Sequence, residues 1–176
     1  QLIHFGAPLK CRTKTQKTFL NLIYEKETVF ATGPGGVGKT YIAVAAALDL
    51  VKSKTTPYTK IIISKPIVEV DEEMGFQPGN VREKMDPYIY PIIEKFDKLI
   101  GERNRIELEA VGILQIMPLA FTRGRSIDNA IVIMDEAQNM SPHQMKTLLT
   151  RIENSKFLIL GDLDQSDRYE DSKQSG

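Results

Sequence analysis

Two short stretches carry the residue types that phosphate chemistry needs. Gly33-Pro34-Gly35-Gly36-Val37-Gly38-Lys39-Thr40 follows the pattern G-x-x-x-x-G-K-[ST], directly after an apolar run and directly before a helical pattern. Glycines at these places let backbone N–H groups turn inward around β- and γ-phosphates, and the N-terminus of the following helix adds a favourable dipole. In such a cradle Lys39 bridges phosphate oxygens and the Thr40 hydroxyl ligates Mg²⁺. Further along, Ile131-Val132-Ile133-Met134-Asp135-Glu136 is an apolar strand ending in two carboxylates, the form of a Walker-B element. Asp135 is expected to hold Mg²⁺ through water, and Glu136 to polarise an attacking water as general base. A small-molecule kinase transfers to a substrate hydroxyl and does not need that second acid, so the pair favours hydrolysis of a nucleoside triphosphate.

A third polar stretch, Gly161-Asp162-Leu163-Asp164-Gln165-Ser166-Asp167, follows the last apolar run. A polar side chain at the tip of a strand beside the phosphate loop can sense the γ-phosphate, and Gln165 is the candidate. A calcium loop is the rival reading, because Asp162, Asp164 and Ser166 alternate. It fails on its sixth position, Asp167 where Gly is needed, and its twelfth, Lys173 where Glu is needed.

These residues need a scaffold that brings strand ends together. Thr28–Thr32, Lys60–Ser64, Ala130–Met134 and Lys156–Leu160 are short, apolar and rich in β-branched residues, as strands buried on both faces of a parallel sheet are. Gly112–Met117 is a weaker fifth candidate. Tyr41–Lys52 is Ala-rich and apolar almost all round, the pattern of a buried helix. Asp86-Pro87 is expected to open a helix carrying Ile89, Ile92, Ile93, Phe96, Leu99 and Ile100, stopped by Gly101 and bent at Pro91. Ser141-Pro142 opens another, with Gln144 completing a capping box and Met145, Leu148, Leu149 and Ile152 on one face. Strands alternating with helices predict an α/β fold with a mostly parallel sheet flanked by helices.

Composition agrees with an ordinary globular chain. The 176 residues are 41% hydrophobic and 26% charged, a length that suits one domain over 1–176, with 1–27 as an N-terminal segment leading into the core. Lys plus Arg equals Asp plus Glu at 23 each, which excludes blanket attraction to nucleic acid or anionic membrane but not a local basic patch. No apolar run approaches the roughly 18 residues that a membrane helix needs. The single Cys11 cannot form an internal disulfide, which fits a cytoplasmic location.

Gly33–Thr40, Asp135-Glu136-Ala137-Gln138 and Gly161–Gln165 also have the order and spacing of helicase-like motifs I, II and III. The text between them is more specific: Lys65-Pro66-Ile67-Val68-Glu69, Met74-Gly75-Phe76-Gln77-Pro78-Gly79, Glu83–Tyr88, Pro118–Arg125 and Gln144–Arg151. From about Thr13 to Asp167 the chain resembles the PhoH family of phosphate-starvation-associated P-loop ATPases. The resemblance implies a RecA-like core related to superfamily-one helicases, ATP as nucleotide with Mg²⁺, RNA-linked roles and ring-shaped oligomers. By position it assigns Gly33–Thr40 to phosphate and Mg²⁺, Asp135 and Glu136 to metal and water, and Gln165 to sensing phosphate. Gln16 resembles a helicase-type Gln that reads the adenine edge; a capping Gln is the alternative. Two positions depart from the family: Lys65 stands where Arg is usual, keeping charge without fork geometry, and Asp164 stands where Thr is usual.

Two-domain helicases close their ATP site with arginines from the second domain, for which this chain is too short. A stabilising arginine must then come from a neighbouring subunit, in a homo-oligomer whose head-to-tail contacts close a ring such as a hexamer, or be absent. Arg123 and Arg125 are the first candidates, with Arg168 and Arg151 behind them. Lys10, Arg12, Lys14 and Lys17, together with Ser64-Lys65-Pro66 after the second strand, are the candidates for single-stranded RNA. The acidic run Glu69, Asp71, Glu72 and Glu73 opposes them. The motifs predict a Mg²⁺-dependent NTP hydrolase, and the resemblance implies an oligomeric ATPase acting on RNA. A nucleotide-gated module without turnover and, with less support, a small-molecule kinase remain open.

Overall fold

Each apolar run that the sequence marks as a strand enters one parallel sheet. The structure is a computed structural model and describes residues 9–66, 81–116, 127–150 and 152–162. In chain order the elements are α1 (Lys14–Glu25), β1 (Thr28–Thr32), α2 (Lys39–Lys52), β2 (Lys60–Ser64), α3 (Val81–Ile100), α4 (Glu102–Ala110), β3 (Leu114–Ile116), β4 (Ile127–Asp128), β5 (Ala130–Met134), α5 (Pro142–Thr150), β6 (Ile152–Glu153) and β7 (Lys156–Gly161). Five strands lie in the order β1-β7-β5-β2-β3, every pairing parallel, and β4 pairs with β6 in a separate two-stranded sheet. The fold is α/β, with helices flanking a parallel sheet.

Strand alternation divides the core in two. Ile61, Ile63, Ile131, Ile133, Leu158 and Leu160 face one side, packed with Ile23 of α1, the apolar residues of α2, Ile92 and Phe96 of α3 and Leu108 of α4. Ile62, Val132, Met134, Phe157 and Ile159 face the other, packed with Met140 and with Leu148 of α5. All five residues of β5 are buried, which explains its uninterrupted apolar text. With both faces covered, the strand ends are the places left for polar groups.

Two local expectations change, and one element is added. The helix expected to begin at Asp86-Pro87 begins at Val81 and runs through both Pro87 and Pro91. Each proline removes a ladder hydrogen bond; burial of Ile92, Phe96 and Ile100 opposes that loss. Ile152 is not on the face of α5 but in β6, opposite Ile127, because α5 ends at Thr150, and Leu149 is exposed. The segment before β1 contains a helix, α1, opened by a Thr13–Gln16 capping box.

α1 is tied to α2 by a hydrogen bond from the Tyr24 hydroxyl to the Asp49 carboxylate, 2.8 Å. Partial burial, then the hydrogen bond to Asp49 and its charge, raise the Tyr24 phenol above its ordinary 10.0. The unfolded chain ionises this phenol more readily than the folded one. The resulting stabilisation is complete below about pH 10 and is lost as pH rises through the raised folded value. Relative to Tyr24→Phe, the unsubstituted chain should therefore keep a constant stability difference in urea melts up to about pH 10 and lose it above. A difference that grows above pH 10 would contradict the assignment.

Candidate functional site

Four strand ends meet at one edge of the sheet, the carboxyl edge at which open α/β sheets bind ligands. β1 runs into the glycine loop, β7 into Gly161-Asp162, β5 into Asp135-Glu136 and β2 into Lys65. β7 lies between the strand that carries the loop and the strand that carries the acids. The ladders continue past the strands: Gly33 N donates to Gly161 O at 3.2 Å and Asp135 N to Ser64 O at 2.9 Å.

The loop closes on itself. Gly36 and Gly38 have φ of 77° and 89°, left-handed values that glycine adopts without steric cost. Gly38 caps α2, and a Cβ there would stand 3.4 Å from Gln16 Nε2. Lys39 Nζ donates to the carbonyls of Gly33 and Pro34, inside its own loop. Gly35 N donates to the Asp162 carboxylate at 2.9 Å. A loop N–H directed at an anionic oxygen is the donor geometry that a phosphate requires.

At the mouth of α2 the two sequence motifs touch. The Thr40 hydroxyl donates to the Asp135 carboxylate, 3.2 and 3.1 Å from its two oxygens. Mg²⁺ favours hard oxygen ligands and is held through one or two carboxylates together with substrate phosphates. A hydroxyl and a carboxylate already side by side, next to a loop with an N–H directed at a carboxylate, fit that ion. Glu136 follows with φ 54° and ψ 42°, a left-handed conformation that costs a non-glycine residue about 1–3 kcal/mol. It starts the 3-10 turn Ala137–Asn139 and aims its carboxylate at Lys65, with Nζ–Oε1 at 2.8 Å.

Part of the loop, the acid pair and the end of β7 border a cleft of about 310 Å³. Of the residues singled out in the sequence, Gly35, Gly36, Gly38, Lys39, Thr40, Asp135 and Glu136 line it. Gln16 is not among the lining residues but sits beside Val37 and Gly38 of the loop. Its Oε1 accepts from Arg12 N at 2.6 Å and Thr13 N at 3.3 Å, and its Nε2 donates to Val37 O at 3.0 Å. Both ends of the amide are engaged, so here Gln16 caps α1 and ties it to the loop. Gln165, Arg123, Arg125, Arg151 and Arg168 lie outside the described residues.

The other lining residues, Tyr41, Lys95, Gln138, Gly161 and Asp162, had no assigned role in the sequence. Gln138 accepts from Asp162 N at 3.0 Å and leaves so little room that a Cβ on Gly161 would sit 3.4 Å from its Oε1. Both Gln138 and Asp162 lay inside quoted motifs, so motif membership was the available signal. Lys95 of α3 also lines the cleft. Only the packing of α3 beside the loop places it there, and no local pattern marks it.

A strand–glycine loop–helix unit whose threonine meets the first acid of a pair two strands away defines the fold of a P-loop NTPase. The chain belongs to the PhoH family, whose description, PhoH-like protein, matches residues 8–176. It is 41% identical over 163 residues to a PhoH-like protein of Bacillus subtilis (strain 168), covering 92% of this chain and 50% of that protein. It is 37% identical over 164 residues to Protein PhoH of Escherichia coli (strain K12), covering 92% and 46%. The chain spans about half the length of the curated relatives it matches. The crystal structure of the HK97 bacteriophage large terminase aligns with a TM-score of 0.47 at 14% identity, over 89% of this chain and 34% of that one.

Proposed function

We propose that residues 1–176 form one Mg²⁺-dependent ATPase unit that hydrolyses ATP by in-line attack of water. The observation that carries this reading is the contact between the Thr40 hydroxyl and the Asp135 carboxylate beside a loop that holds Lys39 at its centre. The loop N–H groups and Lys39 bind and orient the β- and γ-phosphates. Thr40 and Asp135 hold Mg²⁺, whose chemistry when bound is to neutralise charge on the phosphate oxygens. Glu136 takes a proton from the attacking water as general base. Gln165 senses the γ-phosphate, and Gln16, released from its cap, reads the adenine edge.

The same proposal extends to assembly and partner. The unit works as a head-to-tail homo-oligomer, closed as a hexameric ring, with Arg123 or Arg125 reaching a neighbour's site. Single-stranded RNA is its polymer partner, and the cytoplasm its compartment. Among the described residues no helix is long and apolar enough to cross a membrane.

The test is phosphate release from Mg²⁺-ATP over a range of protein concentrations, with and without single-stranded RNA, beside equilibrium binding of ATP. Turnover per subunit is expected to rise with concentration and with RNA. Lys39→Ala removes a charged hydrogen-bond donor and should weaken ATP binding by about 10-fold to 150-fold. ATP binding without turnover under any of these conditions would instead establish a nucleotide-gated module. Full turnover by Lys39→Ala would remove the site assignment altogether.

A further inference from the structure

The cation that faces the proposed general base does not belong to the phosphate loop. Lys65 follows β2, on the far side of β5 from β7 and β1. Its Nζ holds Glu136 Oε1 at 2.8 Å. The pair therefore draws the Glu136 carboxylate towards β2, across the sheet edge from the strand that carries the loop. An ammonium at that distance also occupies Oε1, one of the two oxygens that the carboxylate can offer to water. Lys65 is the more enclosed member, its side chain 17% exposed against 42% for Glu136. Beside it, Ser64 is buried and its Oγ has no hydrogen-bond partner among the described residues. The tip of β2 thus offers a cation suited to a phosphodiester oxygen, whereas the Ser64 hydroxyl is enclosed beneath it.

We propose that Lys65 is a positioning residue that restrains Glu136 until a polymer binds, and that the phosphodiester backbone of a single-stranded nucleic acid releases the restraint. The ammonium exchanges one anionic oxygen for another, from carboxylate to phosphodiester, so charge stays balanced at Lys65 and Glu136 is freed for water. Binding of the polymer and hydrolysis of nucleotide become coupled through a single ion pair. The inference rests on the hydrolase reading for the role of Glu136, yet the exchange itself is measurable without turnover.

The experiment is a double-mutant cycle read by fluorescence anisotropy of labelled oligo(U), with no nucleotide present and at low ionic strength. Glu136→Gln removes the internal competitor and should tighten oligo(U) binding, whereas Lys65→Ala should weaken it, each by about threefold or more. Adding Glu136→Gln to Lys65→Ala should then produce no tightening. Equal tightening in both backgrounds would mean general charge repulsion and would overturn the proposal, as would failure of oligo(U) to bind. Oligo(dT) in a parallel arm separates a bare phosphodiester requirement, with equal affinities, from one that also reads the ribose.

A second measurement follows ATP turnover. Lys65→Ala should raise kcat without RNA by about threefold or more and abolish stimulation by oligo(U), while Lys65→Arg should preserve both behaviours. An unchanged or lower RNA-free kcat in Lys65→Ala contradicts the restraint. Turnover without the binding cycle removes this inference alone; the binding cycle without turnover removes the hydrolase reading and leaves the exchange standing.

Discussion

Glu136→Gln is expected to lower kcat for ATP hydrolysis by about 10²-fold to 10⁴-fold, the contribution of a positioned general base, with ATP binding retained. The geometry separates these two effects. Phosphate contacts come from the loop and Lys39, whereas Glu136 follows β5, beyond the intervening β7. Its main-chain N–H donates to Asp135 Oδ1 at 3.1 Å, so the backbone that positions both acids is held independently of the carboxylate being changed. Glutamine keeps the size and one acceptor oxygen but cannot take a proton at neutral pH. Single-turnover measurements with ATP in excess of its Kd isolate the chemical step from binding and product release. A variant that keeps full single-turnover rate would strip Glu136 of this role. A variant that loses ATP binding to the same extent as Lys39→Ala would place the carboxylate in nucleotide binding instead.

What could be foreseen from the text divides along a physical line. β5 and β7 were legible because strands buried on both faces are written as continuous apolar runs, with no competing helical period. The loop was legible because the left-handed φ at Gly36 and Gly38 restricts residue choice at fixed offsets. α1 was not, although Thr13 and Gln16 spelled its capping box, because only Ile23 of its residues is fully buried and the apolar stripe is thin. The helix start at Val81 was missed because Asp86-Pro87 is a strong local start signal. Of the cleft, Lys39, Thr40, Asp135 and Glu136 were found by motif, since each serves an element of local backbone. Lys95 and the Lys65–Glu136 pair were not, because they exist only where α3 crosses near the loop and where β2 lies beside β5. Contacts across the sheet edge have no sequence spacing to announce them.

Removing both Arg123 and Arg125, as Arg123→Ala with Arg125→Ala, is expected to lower kcat by about 10³-fold to 10⁵-fold, the range of an arginine that stabilises a transferring phosphoryl group from a neighbour. The cleft itself argues for an external cation. Its positive side chains are Lys39 and Lys95, and no arginine with a described side chain lines it. Arg105 is buried against Asp97 at 2.6 Å and Glu109 at 3.2 Å, and Arg103 pairs with Glu107 at 3.2 Å. Both serve α4 and its junction with α3. The decisive form of the experiment is a mixture. The double-arginine variant keeps Glu136 and the Glu136→Gln variant keeps its arginines, so each is inactive alone. If a neighbour supplies the arginine, random equimolar assembly makes intact sites at about a quarter of the interfaces, and activity returns on mixing. If the arginine acts on the site of its own subunit, every site in the mixture is defective and no activity returns. Restoration that disappears on dilution below the assembly concentration would tie the chemistry to the interface, since each completed site then exists only while two subunits share it.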